Sequence, residues 1–244
     1  MSGAEINPFD SLPLALVGGP HTFIHEGSAF VVGPTVFSPA RYKSSGWFVD
    51  RLIEVSPDLK NKTMIEVGCG CGYAGQRMVS DCGLRFLHSG DINSNAVTSA
   101  IENSIRLGIA HKVSVLESDV FDGFAPGTKG DIVYWNHPWN FVRSTYRKGE
   151  IVRRGFYDPG YRGLDKYIEG HSKILNEGGR MFLGFGESGN VARLQKIACW
   201  HECEAVIAAR GTVESDGSGG ELYLFEIVQS KSIQAVQWPH CDKK

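Results

Sequence analysis

The 244-residue chain has only six cysteines, at positions 69, 71, 82, 199, 203 and 241, too few and too unevenly spaced for the disulfide framework of a small secreted domain. Reduced thiols are expected. No stretch approaches the roughly 18 consecutive apolar residues of a membrane helix. The N-terminal "MSGAEINPFDSLPLALVGG" carries no basic leader. A cytoplasmic protein without membrane contact is the expectation. An excess of one charge is also lacking: 25 Lys and Arg stand against 27 Asp and Glu, a formal net charge of -2. Such a balance gives no global attraction to nucleic acid or to an anionic membrane, so any polyanion has to be held by a local patch. Internal repeats are absent, and low complexity is confined to "ESDGSGG".

What is present is ordinary for a soluble globular chain, 42% hydrophobic and 21% charged. That is enough for one α/β domain whose core needs neither metal nor disulfide. Residues 1–45 read as an arm and a β-hairpin, 46–230 as the main domain and 231–244 as a tail. "HTFIHEGSAFVV" gives two short strands around Glu26-Gly27-Ser28. "SSGWFVDRLIEVS" starts on serines suited to an N-cap and spaces Phe48, Leu52 and Ile53 as a helix does. From residue 62, strands and helices alternate: "KTMIEVG", "YAGQRMVSDC", "RFLHSGD", "SNAVTSAIENSIRLG", "KVSVLESD", "DIVYWN". Such alternation means a parallel sheet covered on both faces. "GLDKYIEGHSKILNEGG" reads as one helix stopped by Gly-Gly, followed by strand "RMFLGFG", a helix near 190–199, and an antiparallel pair "CEAVIAARGTV" and "ELYLFEIVQ".

"IEVGCGCGYAG" lies between a strand and a helix, where glycines let the backbone approach a ligand at the carboxyl end of the sheet. Two cofactors fit it. Gly70-x-Gly72-x-x-Gly75 satisfies the dinucleotide fingerprint of an NAD(P)-dependent oxidoreductase. Glu66-Val67-Gly68-Cys69-Gly70-Cys71-Gly72 has the acid-then-glycine form that suits S-adenosyl-L-methionine. Asp91, followed by Ile92, ends the next strand 21 residues after Gly70, where a carboxylate can accept the ribose hydroxyl protons of either cofactor. Asp119, followed by Val120, ends the third strand and suits an adenine amino group, for which a dehydrogenase has no standing need. The fourth strand ends in Asn136-His137-Pro138-Trp139. Polar groups placed so close to an interior need partners, so this motif is read as a binding clamp.

With these residues in order, the stretch from about 20 to 228 resembles class I S-adenosylmethionine-dependent methyltransferases. Within them it is similar to the release-factor glutamine methyltransferases (the HemK family) and their small-domain relatives. The likeness also includes Val36 and Pro39 of a "V..P" segment, and an Asn-Pro-Pro-Tyr motif present here as Asn-His-Pro-Trp. The resemblance implies a Rossmann-like, mostly parallel seven-stranded sheet with an N-terminal hairpin extension. It also implies a site in which Glu66, Gly68, Gly70 and Gly72 line the methionine half, Asp91 and Ile92 the ribose, and Asp119 and Val120 the adenine. Asn136 through its side-chain oxygen and His137 through its carbonyl would grip the acceptor nitrogen's hydrogens beside Pro138, with Trp139 covering the planar group. A general-base role for His137 is the alternative.

The expected reaction is N-methylation of an amide or amino nitrogen on a small molecule or short peptide, since the family's helical recognition domain is absent ahead of the hairpin. Alternatives are a nucleic-acid base, a protein glutamine, or a cofactor-binding subunit without chemistry of its own. The basic stretch "RSTYRKGEIVRRGFYDPGYR" suits either an anion-recognising lid or a solvated loop. Cys199-x-His201-x-Cys203, with His240-Cys241, is read as packing rather than a metal site.

Overall fold

The computed structural model describes residues 19–143, 151–213 and 220–230. The expectations for the arm up to residue 18, the middle of the basic stretch (144–150), the glycine-serine loop (214–219) and the tail (231–244) fall outside these residues.

The chain begins with the hairpin β1 (His21–His25) and β2 (Ser28–Val32), turned by Glu26 and Gly27, both at positive φ. Next come α1 (Ser44–Val55), β3 (Thr63–Val67), α2 (Tyr73–Cys82), β4 (Phe86–Asp91), α3 (Ser94–Arg106), β5 (Val113–Glu117) and β6 (Gly130–Asn136). A small parallel pair, β7 (Asn140–Val142) and β8 (Tyr157–Pro159), precedes α4 (Arg162–Glu169) and the short α5 (His171–Ile174). β9 (Leu175–Gly186), α6 (Val191–Trp200), β10 (Cys203–Val213) and β11 (Gly220–Gln229) finish the fold. The sheet has seven strands in the order β10-β11-β9-β6-β3-β4-β5, and only β11 runs against the rest. This is the mostly parallel α/β architecture expected.

Period-two alternation divides the central strands between two cores. Ile65, Val67, Val133, Trp135, Met181 and Leu183 face one way, onto Leu164 and Tyr167 of α4 and Leu194 and Ile197 of α6. Met64, Ile132, Tyr134 and Phe182 face the other, onto Phe48 and Leu52 of α1, Met78 of α2 and the hairpin's Phe30 and Val32. Strand order reverses between β3 and β6, which places the glycine loop after β3 beside the Asn136 motif after β6. Open α/β sheets bind ligands at such a switch point.

Three local expectations need correction. Ser44 and Ser45 do not cap α1 but form its first turn; Lys43 occupies the N-cap without a side-chain bond. The long helix anticipated at 163–179 is interrupted at Gly170 and ends at Ile174; from Leu175 the chain pairs with β6, so the Gly178-Gly179 pair falls inside β9. Thiols alone were expected, and Cys69, Cys71, Cys82 and Cys203 are free, but Cys199 is disulfide-bonded. No His, Cys, Asp or Glu cluster suited to a metal occurs among the described residues, and His201 bonds Asp165 at 2.8 Å. No helix among them is long and apolar enough to cross a membrane.

The hairpin is tied to the sheet by Asn103 of α3, which is fully buried. Its amide donates to the carbonyls of Val31 (2.8 Å) and Cys71 (2.9 Å) and accepts from Val31 N–H (2.8 Å). Replacing Asn103 by Ala takes the partner from one buried and two part-buried backbone groups, so Asn103→Ala is expected to cost about 3 kcal/mol in urea unfolding. A loss below about 1 kcal/mol would mean that solvent reaches these groups.

Candidate active site

A cavity of about 740 Å³ opens at the carboxyl ends of β3, β4 and β6, between the glycine loop and the segment 151–163. That volume lies in the upper part of the range for small-molecule sites, about 300–1,000 Å³.

The loop after β3 keeps its shape through Glu66. This side chain is 2% exposed and accepts the Gly75 N–H of α2 (3.0 Å) and the Ser89 hydroxyl of β4 (3.1 Å). Gly75 has no room for a side chain, since a Cβ there would sit 2.4 Å from the Glu66 carboxylate. Burial raises the Glu66 pKa to about 7, against the pull of those two hydrogen bonds. The carboxyl group is held by these two donors, and Glu66 also lines the cavity. Gly68 and Gly70 line the cavity at positive φ, and a Cβ on Gly68 would strike the Trp135 indole at 2.6 Å. Gly72 is not on the cavity wall. It starts α2 at φ 81, with the side chain of Gln76 where its own would be.

Asp91 lies on the cavity wall. One of its oxygens accepts Gly70 N–H (2.8 Å) and the other Asn93 N–H (2.9 Å), so a lone pair on each remains for hydroxyl donors. Burial raises its pKa, opposed by those backbone donors. Ile92, Asp119 and Val120 line the same wall. The Asp119 side chain is more than half exposed and lies 3.5 Å from the Lys166 ammonium, which also pairs with Asp122. Val120 is left-handed at φ 56, costly for a β-branched residue; Ser118 holds the turn by donating to Val120 O (2.8 Å) and accepting from Gly123 N–H (2.9 Å).

Asn136, His137, Pro138 and Trp139 all reach the cavity wall. Asn136 Oδ1 is buried and has no hydrogen-bond partner. The rest of the motif is held on every side. His137 is 1% exposed; its Nε2 bonds the Asp158 carboxylate at 3.0 Å and its ring lies parallel to Phe185. Asp158 in turn accepts the N–H groups of Gly163 (3.1 Å) and Leu164 (2.8 Å) in the first turn of α4. The Trp139 carbonyl accepts from Tyr161 Oη (2.5 Å), and its indole donates to Ser188 (3.1 Å). Asn140 donates to Phe156 O (2.9 Å).

Sequence reasoning missed Asp158 and Tyr161, which hold the motif, and the rings of Phe37, Tyr42 and Phe156 on the far wall. A feature that pointed their way was the position of the Arg- and Tyr-rich stretch directly after the motif.

An adenosyl-sulfur ligand fits these residues: backbone with no side chains at Gly68 and Gly70, a carboxylate with spare lone pairs at Asp91, and an apolar turn at Val120. Comparison with known proteins agrees. The family model described as "Methyltransferase small domain" matches residues 28–153. Similar solved structures include the YcgJ protein of Bacillus subtilis, with TM-score 0.57 and 9% identity over 77% of this chain and 100% of that one. The precorrin 8w decarboxylase of Methanobacterium thermoautotrophicum gives 0.55 and 15% over 82% and 96%. The ribosomal protein L11 methylase of Lactobacillus delbrueckii subsp. bulgaricus gives 0.52 and 14% over 79% and 80%. At such identities the likeness is one of fold. No curated protein matches the sequence.

The raised Glu66 pKa links the loop to pH. Its contribution to stability is complete below about pH 4.5 and is lost as pH rises through about 7, because the folded state holds the proton more tightly than the unfolded one. Between pH 5 and pH 8 the wild type is therefore expected to lose roughly 2–3 kcal/mol of unfolding free energy relative to Glu66→Gln. Parallel pH dependence of the two proteins in urea titrations would contradict this.

Proposed function

We propose the acceptor chemistry of this enzyme from one premise: the chain belongs to the methyltransferase small domain family and is an S-adenosyl-L-methionine-dependent methyltransferase. Its acceptor is a planar nitrogen, an amide or an amino group, on a small molecule or short peptide. The observation that carries this reading is Asn136 Oδ1, a hydrogen-bond acceptor buried without a partner where β6 ends at the cavity; in the same motif His137 Nδ1 is likewise unpaired, while His137 Nε2, Trp139 and Asn140 are bonded. An unpaired buried acceptor is costly, and an N–H of the bound acceptor group satisfies it.

The sulfonium supplies an already activated methyl group, so positioning and local electrostatics account for most of what the protein contributes. Gly68 and Gly70 allow close approach of the methionine half, Asp91 and Ile92 hold the ribose, and Asp119 with Val120 the adenine. Glu66 lines the methionine half while bracing the loop, and Gly72 acts through the start of α2. Asn136 Oδ1 takes one hydrogen of the acceptor nitrogen and the carbonyl of His137 the other. These two oxygens orient the nitrogen's lone pair and favour the positive charge that grows on it as the bond forms. Pro138 fixes the turn, and Trp139 covers the planar group.

His137 is a positioning residue in this scheme. Its Nε2 is bonded to Asp158 and its ring lies parallel to Phe185, which fixes the backbone carbonyl beside Asn136. The likeness to the release-factor glutamine methyltransferases supports a nitrogen acceptor, with histidine tolerated where that family has its first proline because the backbone does the gripping.

Asn136→Ala is expected to lower kcat by about 10²–10³-fold while leaving the affinity for S-adenosylhomocysteine within about twofold of wild type by calorimetry. A large loss of that affinity would move the acceptor site elsewhere. Asp91→Ala is expected to weaken S-adenosylhomocysteine binding by about tenfold or more, through two lost charge-assisted hydrogen bonds. Unchanged binding would remove Asp91 from the ribose.

A further inference from the structure

The acceptor half of the cavity has walls that the nitrogen clamp does not explain. Phe37 and Tyr42 stack with ring centroids 4.6 Å apart and planes 21° from parallel, and Phe156 closes on both, at 5.4 Å and 5.5 Å. All three rings are half-buried and line the cavity. They are tied to the clamp through the backbone: Asn140, four residues beyond Asn136, donates to Phe156 O, and β7 pairs with β8 immediately after Phe156. Trp139 lines the same cavity, which adds a further aromatic ring to its wall.

The charge on this half is also one-sided. Arg162 is exposed on the cavity wall, and no ion pair among the described residues reaches it; Arg154 lines the wall as well. Asp158, a carboxylate that also lines the cavity, is enclosed and bonded to His137 and two backbone N–H groups. Aromatic walls recognise planar rings by stacking, and an exposed guanidinium recognises a carboxylate or phosphate. A polynucleotide would need a basic track leading away from the mouth. Among the described residues, Lys166 on the cavity wall is paired with Asp119 and Asp122.

We infer that the acceptor is a small flat aromatic amine or nitrogen heterocycle carrying an acidic group, with its ring against Phe37, Tyr42 and Phe156 and its acid toward Arg162. This rests on the nitrogen-clamp reading of Asn136 and narrows it. The cavity, at about 740 Å³, is large enough to hold such a ring beside the adenosyl ligand.

The test is calorimetry on the whole protein saturated with S-adenosylhomocysteine, with methyl transfer from radiolabelled S-adenosylmethionine followed in parallel. The probes are 4-aminobenzoate, aniline, N-acetyl-L-glutamine and a single-stranded RNA dodecamer. 4-Aminobenzoate is expected to bind at least tenfold more tightly than N-acetyl-L-glutamine, which has the carboxylate and a planar NH2 but no ring. Phe156→Ala is expected to weaken 4-aminobenzoate about tenfold, and Arg162→Gln to weaken it several-fold while leaving aniline unchanged.

Equal binding of the two carboxylates overturns the proposal, as does RNA binding that Phe156→Ala removes. A Phe156→Ala effect confined to S-adenosylhomocysteine assigns the rings to the adenosyl side and also overturns it. Methyl transfer to N-acetyl-L-glutamine that survives Phe156→Ala overturns the aromatic acceptor and leaves the nitrogen clamp standing. Ring-dependent binding indifferent to Asn136→Ala, with no methyl transferred, supports the aromatic site and removes the clamp.

Discussion

A carboxylate with no cation beside it sits at the centre of the sheet, and the ligand-binding edge is arranged around it. Glu66 is the point where β3, β4 and α2 are joined by side-chain hydrogen bonds: it takes a backbone N–H from the helix and a hydroxyl from the neighbouring strand. Its burial demands donors, and the donors available are those that draw the first turn of α2 down onto β3. Only a glycine at position 75 lets the helix come that close. With α2 fixed, the residues between have one short path, through Gly68, Gly70 and Gly72 at positive φ, and Gly70 N–H is presented to Asp91.

The opposite wall follows a similar rule, with a second buried carboxylate. Asp158 collects the His137 imidazole and two N–H groups from the start of α4. An aspartate at a helix N-terminus is favoured by the macrodipole, and here the same charge fixes the orientation of the residue after Asn136. The strand-end motif, β8 and α4 therefore share one anchor. Tyr161 adds another, its hydroxyl donating to Trp139 O and accepting from Asn190 N–H, so that the start of α6 is joined to the motif as well.

Much of this was legible in the sequence because it rests on local patterns. Alternating apolar residues in "TMIEV" and "DIVYWN" placed the central strands, and glycine spacing with Asp91 and Asn136 placed the edge that binds. What stayed hidden depends on pairs far apart in the chain. His137 and Asp158 are 21 residues apart, and nothing in either's neighbourhood names the other. Gly72 reads like its neighbours in the motif, yet faces Gln76 and Ala100 rather than the cavity, a matter of where the helix axis points. The early end of the helix at Ile174 was unreadable for the same reason, because a helical pattern runs on past it and the strand that replaces it is set by ladder partners in β6 and β11, far away in the chain.

The reversed strand β11 sets an order of assembly. β10 comes earlier in the chain but has β11 as its only sheet partner, and β11 alone connects it to β9. During synthesis β10 thus emerges with no ladder to join, and its hydrogen-bonding groups wait for the strand that follows. The glycine loop and Asp91, by contrast, are complete in sequence by residue 91, with the β3–β4 pair that carries them. The half of the sheet that carries the glycine loop and Asp91 can therefore form early, and the β10–β11 flank closes last. Lengthening or stiffening the connection between β10 and β11 would delay that closure without touching any residue that lines the cavity.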